Sequence, residues 1–288
     1  MENQRDLIDR LNLTGKKLSK SHRLIADYIA AHYDKAVFMT AAMLGEIVGV
    51  SESTVVRFAV ALGYEGYPQL QHSLQELVRH RLTAVQRFEM SSDMEESAVL
   101  STVLKADMQN IRHTADAIDT EAFTAVVNKI LAAKDIYILG LRSAAPLAQF
   151  FAYYLSFIFE DVRLVAASST DVFESIARIR KEDVLIGISF PRYSTRTLEA
   201  MRFAQENGAQ VIGITDGMMS PLYSQADVCL TARTDMASFV DSLVAPLSLV
   251  NALLVALAIK KKEDLSRHFE KLEGIWDAYR IYANKGNQ

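Results

Sequence analysis

Two short stretches in the second half of the chain carry side chains suited to holding an anion. GLRSA, residues 140–144, follows the apolar run IYIL, and SFPRYST, residues 189–195, follows VLIGI. Each stretch ends a β-rich run and leads into a helical pattern. Hydroxyls at Ser143, Ser189, Ser194 and Thr195 therefore stand at or near helix N-termini, where free backbone N–H groups and the positive dipole end favour a negative group. Arg142 and Arg192 add forked, permanently charged donors that match phosphate or carboxylate. The same hydroxyls also serve as ordinary helix caps, and either arginine can simply be solvated, so spacing alone leaves a cap and an anion site equally open.

A different chemistry is written near the front, in MTAAMLGEIVGVSESTVVRFAVALGYEGY, residues 39–67. Thr40 caps a short helix with apolar positions Met43, Leu44, Ile47 and Val48. Gly49 supplies a tight turn, Val50 plugs it, and Ser51 caps a second helix that turns Val55, Phe58 and Leu62 inward. This is a helix-turn-helix pattern: Gly45 must be small because the second helix crosses close above it, and Gly49 accepts a backbone angle most residues resist. On the second helix Glu52, Ser53, Thr54 and Arg57 face outward. In a DNA-binding domain Ser53 and Thr54 reach base edges or phosphates, and Arg57 addresses a guanine or a phosphate. An ordinary helical hairpin with a solvated face is the plainer alternative.

The elements that must position these residues differ between the two halves. Ser19 to Tyr33 reads as a capped helix with Leu24, Ile25, Tyr28, Ile29 and His32 at helical spacing. Residues 71–134 read as helices with few breakers, interrupted by SSDMEES at 91–97. From Asp135 the period changes: IYILGL, VRLVA, VLIGIS, QVIGITD and VCLTA are short apolar runs separated by helical stretches, one of them closed by Asn207 and Gly208. Near-continuous apolar strands alternating with helices belong in a parallel sheet covered on both faces. Ligands bind such sheets outside the carboxyl ends of the strands, which is where both anion-suited stretches fall. After them, FVDSLVAPLSLVNALLVALAIKKK suggests a long helix with more apolar surface than a monomer needs, and SRHFEKLEGIWDAYR an amphipathic final one.

Composition narrows the rest. With 288 residues, half of them hydrophobic, and only 12 Gly and 5 Pro, the chain has material for two cores and is too apolar to be disordered. Residues 1–80 hold nine basic and nine acidic side chains, leaving 22 against 26 for the remainder, so DNA binding must come from a local patch. The apolar stretch from Leu243 to Ile259 is broken by Pro246, Ser248 and Asn251, which argues against a membrane span. The charged MENQRDLIDRLN start lacks a secretory signal's apolar core. The single cysteine, Cys229, reads as a buried inert thiol, and a cytoplasmic location fits. No HExxH, paired CxxC or GxxxxGK[ST] occurs, so no metal ligand and no cofactor is expected. Glu174 is a formal general-base candidate that reads equally well as a solvated helix residue.

The wording is more specific than the spacing. VSESTVVRFAVALGYEGYPQLQ resembles the DNA-binding domain of RpiR-type bacterial transcriptional regulators, whose pattern VSxxTVxRFxxxLGxxGYxxL spans the recognition helix and the turn after it. The resemblance covers residues 19–78 and includes Leu62, Gly63, Tyr64, Gly66, Tyr67 and Leu70, which a generic helix-turn-helix does not explain. Residues 135–262 are similar to a sugar isomerase (SIS) domain, the module that follows the helix-turn-helix in that family and usually binds a phosphorylated sugar or derivative. Its GxGxS becomes Gly140, Leu141, Arg142, Ser143, and its SxSGxT becomes Ser189, Phe190, Pro191, Arg192, Tyr193, Ser194. Pro191 replaces a serine, and Arg142 and Arg192 each replace a glycine; proline removes an N–H donor, and two guanidinium groups move recognition from main chain to side chain.

The resemblance implies an all-α helix-turn-helix domain over residues 1–80, a helical connection over 81–118, and a doubly wound parallel-sheet α/β domain of the SIS, flavodoxin-like class over 119–288. It implies a double-stranded DNA operator bound through Thr40, Ser51, Glu52, Ser53, Thr54 and Arg57. It also implies a small anionic effector, a sugar phosphate or derivative, held by Gly140, Arg142, Ser143, Ser189, Arg192, Ser194 and Thr195, in a homodimer or dimer of dimers without catalytic residues. The alternative is a SIS-type sugar-phosphate isomerase.

Overall fold

The computed structural model describes residues 18–37, 39–78, 83–89, 94–166, 171–236 and 239–282. The chain divides into two compact units: residues 1–99 with 238–240, and residues 100–237 with 241–288.

In the first unit, α1 (Lys20–Ala31) begins at Ser19, whose hydroxyl accepts the His22 N–H at 3.3 Å. The short α2 (Tyr33–Ala36) leads to α3 (Ala41–Val48) and α4 (Glu52–Ala61), which are followed by α5 (Tyr67–Val78) and α6 (Ala84–Glu89). Ile25, Ile29, Leu44, Val55, Phe58, Leu70 and Leu74 form the buried centre of this unit. The Tyr67 hydroxyl is buried and donates to the Met39 carbonyl at 2.7 Å, and burial pushes its pKa up to about 12. A residue that closes the recognition motif in sequence thus bolts α5 to the chain just before α3.

Of the apolar positions of α3, Met43 and Ile47 are 50% and 52% exposed, while Ala41, Leu44 and Gly45 are buried. The close crossing of α4 selects the face of α3 that carries the small residues, and so turns the larger Met43 and Ile47 outward. Leu24 is likewise exposed, beside the buried Ile25 and Ile29.

The second unit holds most of α7 (Glu96–Ala117), then α8 (Thr120–Ala132), β1 (Ile136–Gly140), a 3-10 turn at Arg142–Ala144, α9 (Ala145–Ile158), β2 (Val162–Val165), α10 (Val172–Ile176), β3 (Val184–Ile188), α11 (Thr195–Glu206), β4 (Gln210–Thr215), α12 (Pro221–Gln225), β5 (Val228–Thr231), α13 (Val244–Lys260) and α14 (Lys262–Tyr279). All strand pairs are parallel and their order is β2-β1-β3-β4-β5. Alternation along each strand serves two layers. Ile136, Ile138, Val184, Ile186, Ile188, Ile212 and Ile214 pack with α8, α9 and α13, whereas Tyr137, Leu139, Leu185 and Val211 pack with α10, α11 and α12. At Gly187 a Cβ would lie 2.7 Å from Met201 Sδ, so the glycine lets α11 ride close over β3.

The ionisable groups of the core sit at the amino edge of this sheet. Arg163 pairs with Asp135 at 2.9 Å, and the buried Asp183 carboxylate accepts the backbone N–H groups of Asp135 and Arg180. Among the described residues no single helix is long and apolar enough to cross a membrane.

Candidate nucleic-acid interface and effector site

The recognition motif is built by caps and glycines. Thr40 Oγ1 accepts the Met43 N–H at 3.2 Å and Ser51 Oγ accepts the Thr54 N–H at 3.3 Å, so both hydroxyls are engaged in starting α3 and α4. Gly49 sits at φ 76 and closes α3, and Val50 N–H returns to the Gly45 carbonyl at 2.8 Å. A Cβ on Gly45 would lie 2.8 Å from the Val50 carbonyl oxygen and 3.3 Å from the Glu52 nitrogen. Both are backbone atoms, so the crossing tolerates no side chain. Gly63, at φ 89, follows the last turn of α4.

Glu52, Ser53 and Arg57 are exposed and Thr54 is half-buried. Arg57 lies back along its own helix: Nε donates to the Ser53 carbonyl at 3.2 Å, and a terminal nitrogen reaches Thr54 Oγ1 at 3.5 Å. Ser51 Oγ is 3.0 Å from Ser53 Oγ and 2.8 Å from Thr54 Oγ1. The outward face thus offers a compact hydroxyl cluster with one guanidinium folded against it. Sequence reasoning missed two members of that face. Val56 and Val60 are 38% and 54% exposed, and their spacing of three and seven residues from Ser53 was the available signal.

In the second unit the strand order reverses between β1 and β3, which pair directly with Gly140 opposite Ile188. The two anion-suited loops therefore leave adjacent strands at the topological switch point, where open α/β sheets have their crevice. Gly140 is packed tight, since a Cβ there would lie 2.6 Å from Ala148 Cβ. Ser143 is exposed in the 3-10 turn ahead of α9. Ser189 is buried; its Oγ accepts the Ser194 N–H at 3.2 Å and closes the loop upon itself. Ser194 in turn caps α11 by accepting the Thr197 N–H at 3.4 Å, with Thr195 exposed beside it.

Arg142 and Arg192 are the deciding feature of these loops. Both adopt left-handed backbone, at φ 57 and φ 68. A non-glycine residue pays about 1–2 kcal/mol for that conformation. Both side chains are exposed, and neither guanidinium has an ion-pair or hydrogen-bond partner among the described residues. The loops thus keep a glycine-type backbone path while carrying two uncompensated cations.

The end of β4 contributes residues that the sequence did not flag. Thr215 Oγ1 donates to the Ser189 carbonyl at 2.8 Å and lies 2.7 Å from Ser220 Oγ. Tyr193 donates its hydroxyl proton to Asp216 at 2.8 Å. Thr197, fully buried on the first turn of α11, has an Oγ1 with no hydrogen-bond partner among the described residues. Glu174 is exposed and completes a capping box with Asp171 at the start of α10. The Cys229 thiol is pushed up to about 12 by burial and by the Asp216 carboxylate, which keeps it protonated and inert.

Two family models match the chain: the helix-turn-helix domain of the rpiR family over residues 5–80, and the SIS domain over residues 129–256. The chain belongs to the RpiR family. It is an RpiR-type transcriptional regulator, with a helix-turn-helix ahead of a SIS domain. The regulator HexR of Escherichia coli is 25% identical over 282 residues, which cover 93% of this chain and 94% of HexR. Among solved structures, the sugar isomerase domain of an RpiR transcription factor from Sphaerobacter thermophilus is 26% identical, covers 61% of this chain and 98% of that one, and has a TM-score of 0.59. The Vibrio vulnificus NanR protein complexed with ManNAc-6P is 22% identical, with 96% of this RpiR-family chain and 100% of that chain covered at a TM-score of 0.58.

Proposed function

We propose that this regulator senses a small anionic metabolite, a phosphorylated sugar or derivative, at the β1/β3 switch point, and that occupancy changes how its helix-turn-helix heads hold a double-stranded operator. Residues 1–80 are the reading head, 81–118 the connection and 119–288 the sensor. The observation that carries the reading is the pair Arg142 and Arg192: two unpartnered guanidinium groups on strained, left-handed backbone at adjacent strand ends. The charged group of the effector sits among Arg142, Ser143, Ser189, Arg192, Ser194 and Thr195, with Gly140 holding the first loop against α9. The NanR structure, a complex with ManNAc-6P, supports a phosphosugar as the effector class. This reading assigns no catalytic role, and Glu174, the formal base candidate, completes a helix capping box.

On the DNA side, Glu52, Ser53, Thr54 and Arg57 face the groove, while Thr40 and Ser51 present the starts of α3 and α4 to the phosphates. The regulator works in the cytoplasm as a homodimer or dimer of dimers, so that two heads meet two half-sites. In support, α14 buries none of its 18 residues, and Tyr153, Tyr154, Val255 and Ile259 are exposed on α9 and α13. A long amphipathic helix that buries none of its residues fully leaves apolar surface for a partner. Transmission runs through α7, whose Asn110 side chain grips the Asp235 backbone in both directions at 2.8 and 3.0 Å. Thr114 and Asp107 hold Arg233 N–H and Ser242 Oγ on the same segment, which follows β5.

The test is DNA binding by the full chain across several salt concentrations, with and without phosphosugars. A regulator binds a duplex selected from a random pool with steep salt dependence, and one phosphosugar shifts that affinity. Turnover of a phosphosugar with no affinity for any duplex overturns the reading.

A further inference from the structure

The outward face of α4 is not uniformly polar. Ser53, Val56, Arg57 and Val60 form one stripe, opposite the buried Val55, Phe58, Ala59 and Leu62. Val56 and Val60 are a full turn apart and remain exposed, although burying each would have been favourable. The polar members of the stripe are held as one group: Ser53 and Arg57 are tied to each other and to the Ser51 and Thr54 hydroxyls. On a helix that enters the major groove, the base-edge group that an exposed aliphatic side chain can recognise is the 5-methyl of thymine. The rise along an α-helix places Val56 about 4.5 Å and Val60 about 10.5 Å beyond Ser53, a span of roughly two base steps between the valines.

Resting on the reading of α4 as the recognition helix, we propose that Val56 and Val60 read thymine methyl groups and so determine which operator this chain selects. Arg57 and the hydroxyl cluster then fix α4 against phosphates or a guanine, and the two valines discriminate A·T pairs from the alternatives where the middle of α4 crosses the groove. Their partner is DNA rather than a second protein copy, because the patch is continuous with the hydroxyl and guanidinium groups of the helix-turn-helix.

The experiment uses the full-length chain and a duplex selected from a random pool. Each thymine of that duplex is replaced in turn by deoxyuridine, which removes one methyl and leaves base pairing intact. At one or two positions per half-site the affinity falls about three- to fivefold, the effect expected of one buried methyl. Val56→Ala or Val60→Ala weakens binding to the thymine duplex and leaves the deoxyuridine duplex nearly unaffected, so the two losses do not add. Both variants fold, since the sites are exposed. Specific binding with no deoxyuridine effect, additive losses, or a changed oligomeric state in the variants with unchanged base preference overturns the proposal while the DNA-binding reading stands. Failure to bind any duplex removes that reading itself.

Discussion

Replacing Arg142 and Arg192 by glycine should move stability and effector binding in opposite directions. Each arginine sits in left-handed backbone, at φ 57 and φ 68, which is unfavourable by about 1–2 kcal/mol for an L-residue. Glycine relieves that strain but widens the unfolded ensemble, which costs about 0.4–1 kcal/mol. The net expectation is a gain of roughly 0.5–1 kcal/mol per substitution, or about 1–4 °C in the unfolding midpoint of the sensor unit. No native ion pair is lost, because neither guanidinium has a partner among the described residues. Effector affinity should fall instead: a charge-assisted hydrogen bond contributes about 1.5–3 kcal/mol, so each variant weakens binding roughly 10- to 150-fold.

The assay pairs a thermal melt of the effector-free chain with calorimetric titration of the phosphosugar that best stabilises the parent. Arg142→Ala and Arg192→Ala serve as controls, since alanine keeps the strained backbone and loses the same charge; they should match the glycine variants in affinity but not in stability. Glycine variants that melt lower than the parent would show that the arginines hold the loops together. Unchanged affinity would show that they do not touch the ligand. Either result refutes the reasoning.

Other positions give sharper single outcomes. Gly45→Ala forces a Cβ to within 2.8 Å of the Val50 carbonyl oxygen, so the head should lose about 1–3 kcal/mol and DNA affinity should drop while phosphosugar binding persists; parent-like DNA affinity would contradict the close crossing. Thr197→Val removes a buried hydroxyl without a partner and should raise stability by about 1 kcal/mol in urea melts, with a loss of stability as the contrary result. Tyr67 keeps its proton up to about 12 in the folded head, whereas the unfolded chain releases it near 10.0, so over that window the native state holds more protons and stability falls as pH rises. Urea midpoints at pH 9 and pH 11 should differ by more in the parent than in Tyr67→Phe, and equal slopes would argue against burial of the hydroxyl.

The recognition motif was legible because its requirements are local. Thr40, Ser51, Gly45, Gly49 and Gly63 each answer to a neighbour a few residues away, and all five behave as their spacing implies. The direction of α3 was less so. Over eight residues a 3.6-residue period fits two faces, and Met43 with Ile47 make the more apolar one, but the approach of α4 favours the face lined by Ala41 and Gly45. The alternating strands announced a parallel sheet, and the two loops at its carboxyl edge were visible as strand ends. What linear sequence did not contain was the strand order. Only that order brings Thr215, Asp216 and Ser220 beside the Ser189 loop, and no spacing connects residues 26 to 31 positions apart.

That arrangement also shapes how an effector would be felt. Ser189 is held at two points, its carbonyl by the Thr215 hydroxyl and its Oγ by the Ser194 N–H. An anion that accepts the Ser194 N–H displaces Ser189 Oγ as acceptor, and the freed hydroxyl becomes a donor to the same anion. The exchange reorders the loop between β3 and α11 and bears on Thr215 at the end of β4, whose neighbour β5 continues into the segment clamped by Asn110, Thr114 and Asp107. On the proposed function, the signal needs only a differential preference of about 1–3 kcal/mol between two settings of that clamp, equivalent to roughly 5- to 150-fold in operator affinity. Asn110→Ala removes both backbone bonds of the clamp at once. Operator binding and phosphosugar binding should then each survive, while the factor by which one alters the other falls toward unity; an unchanged factor would place the path elsewhere.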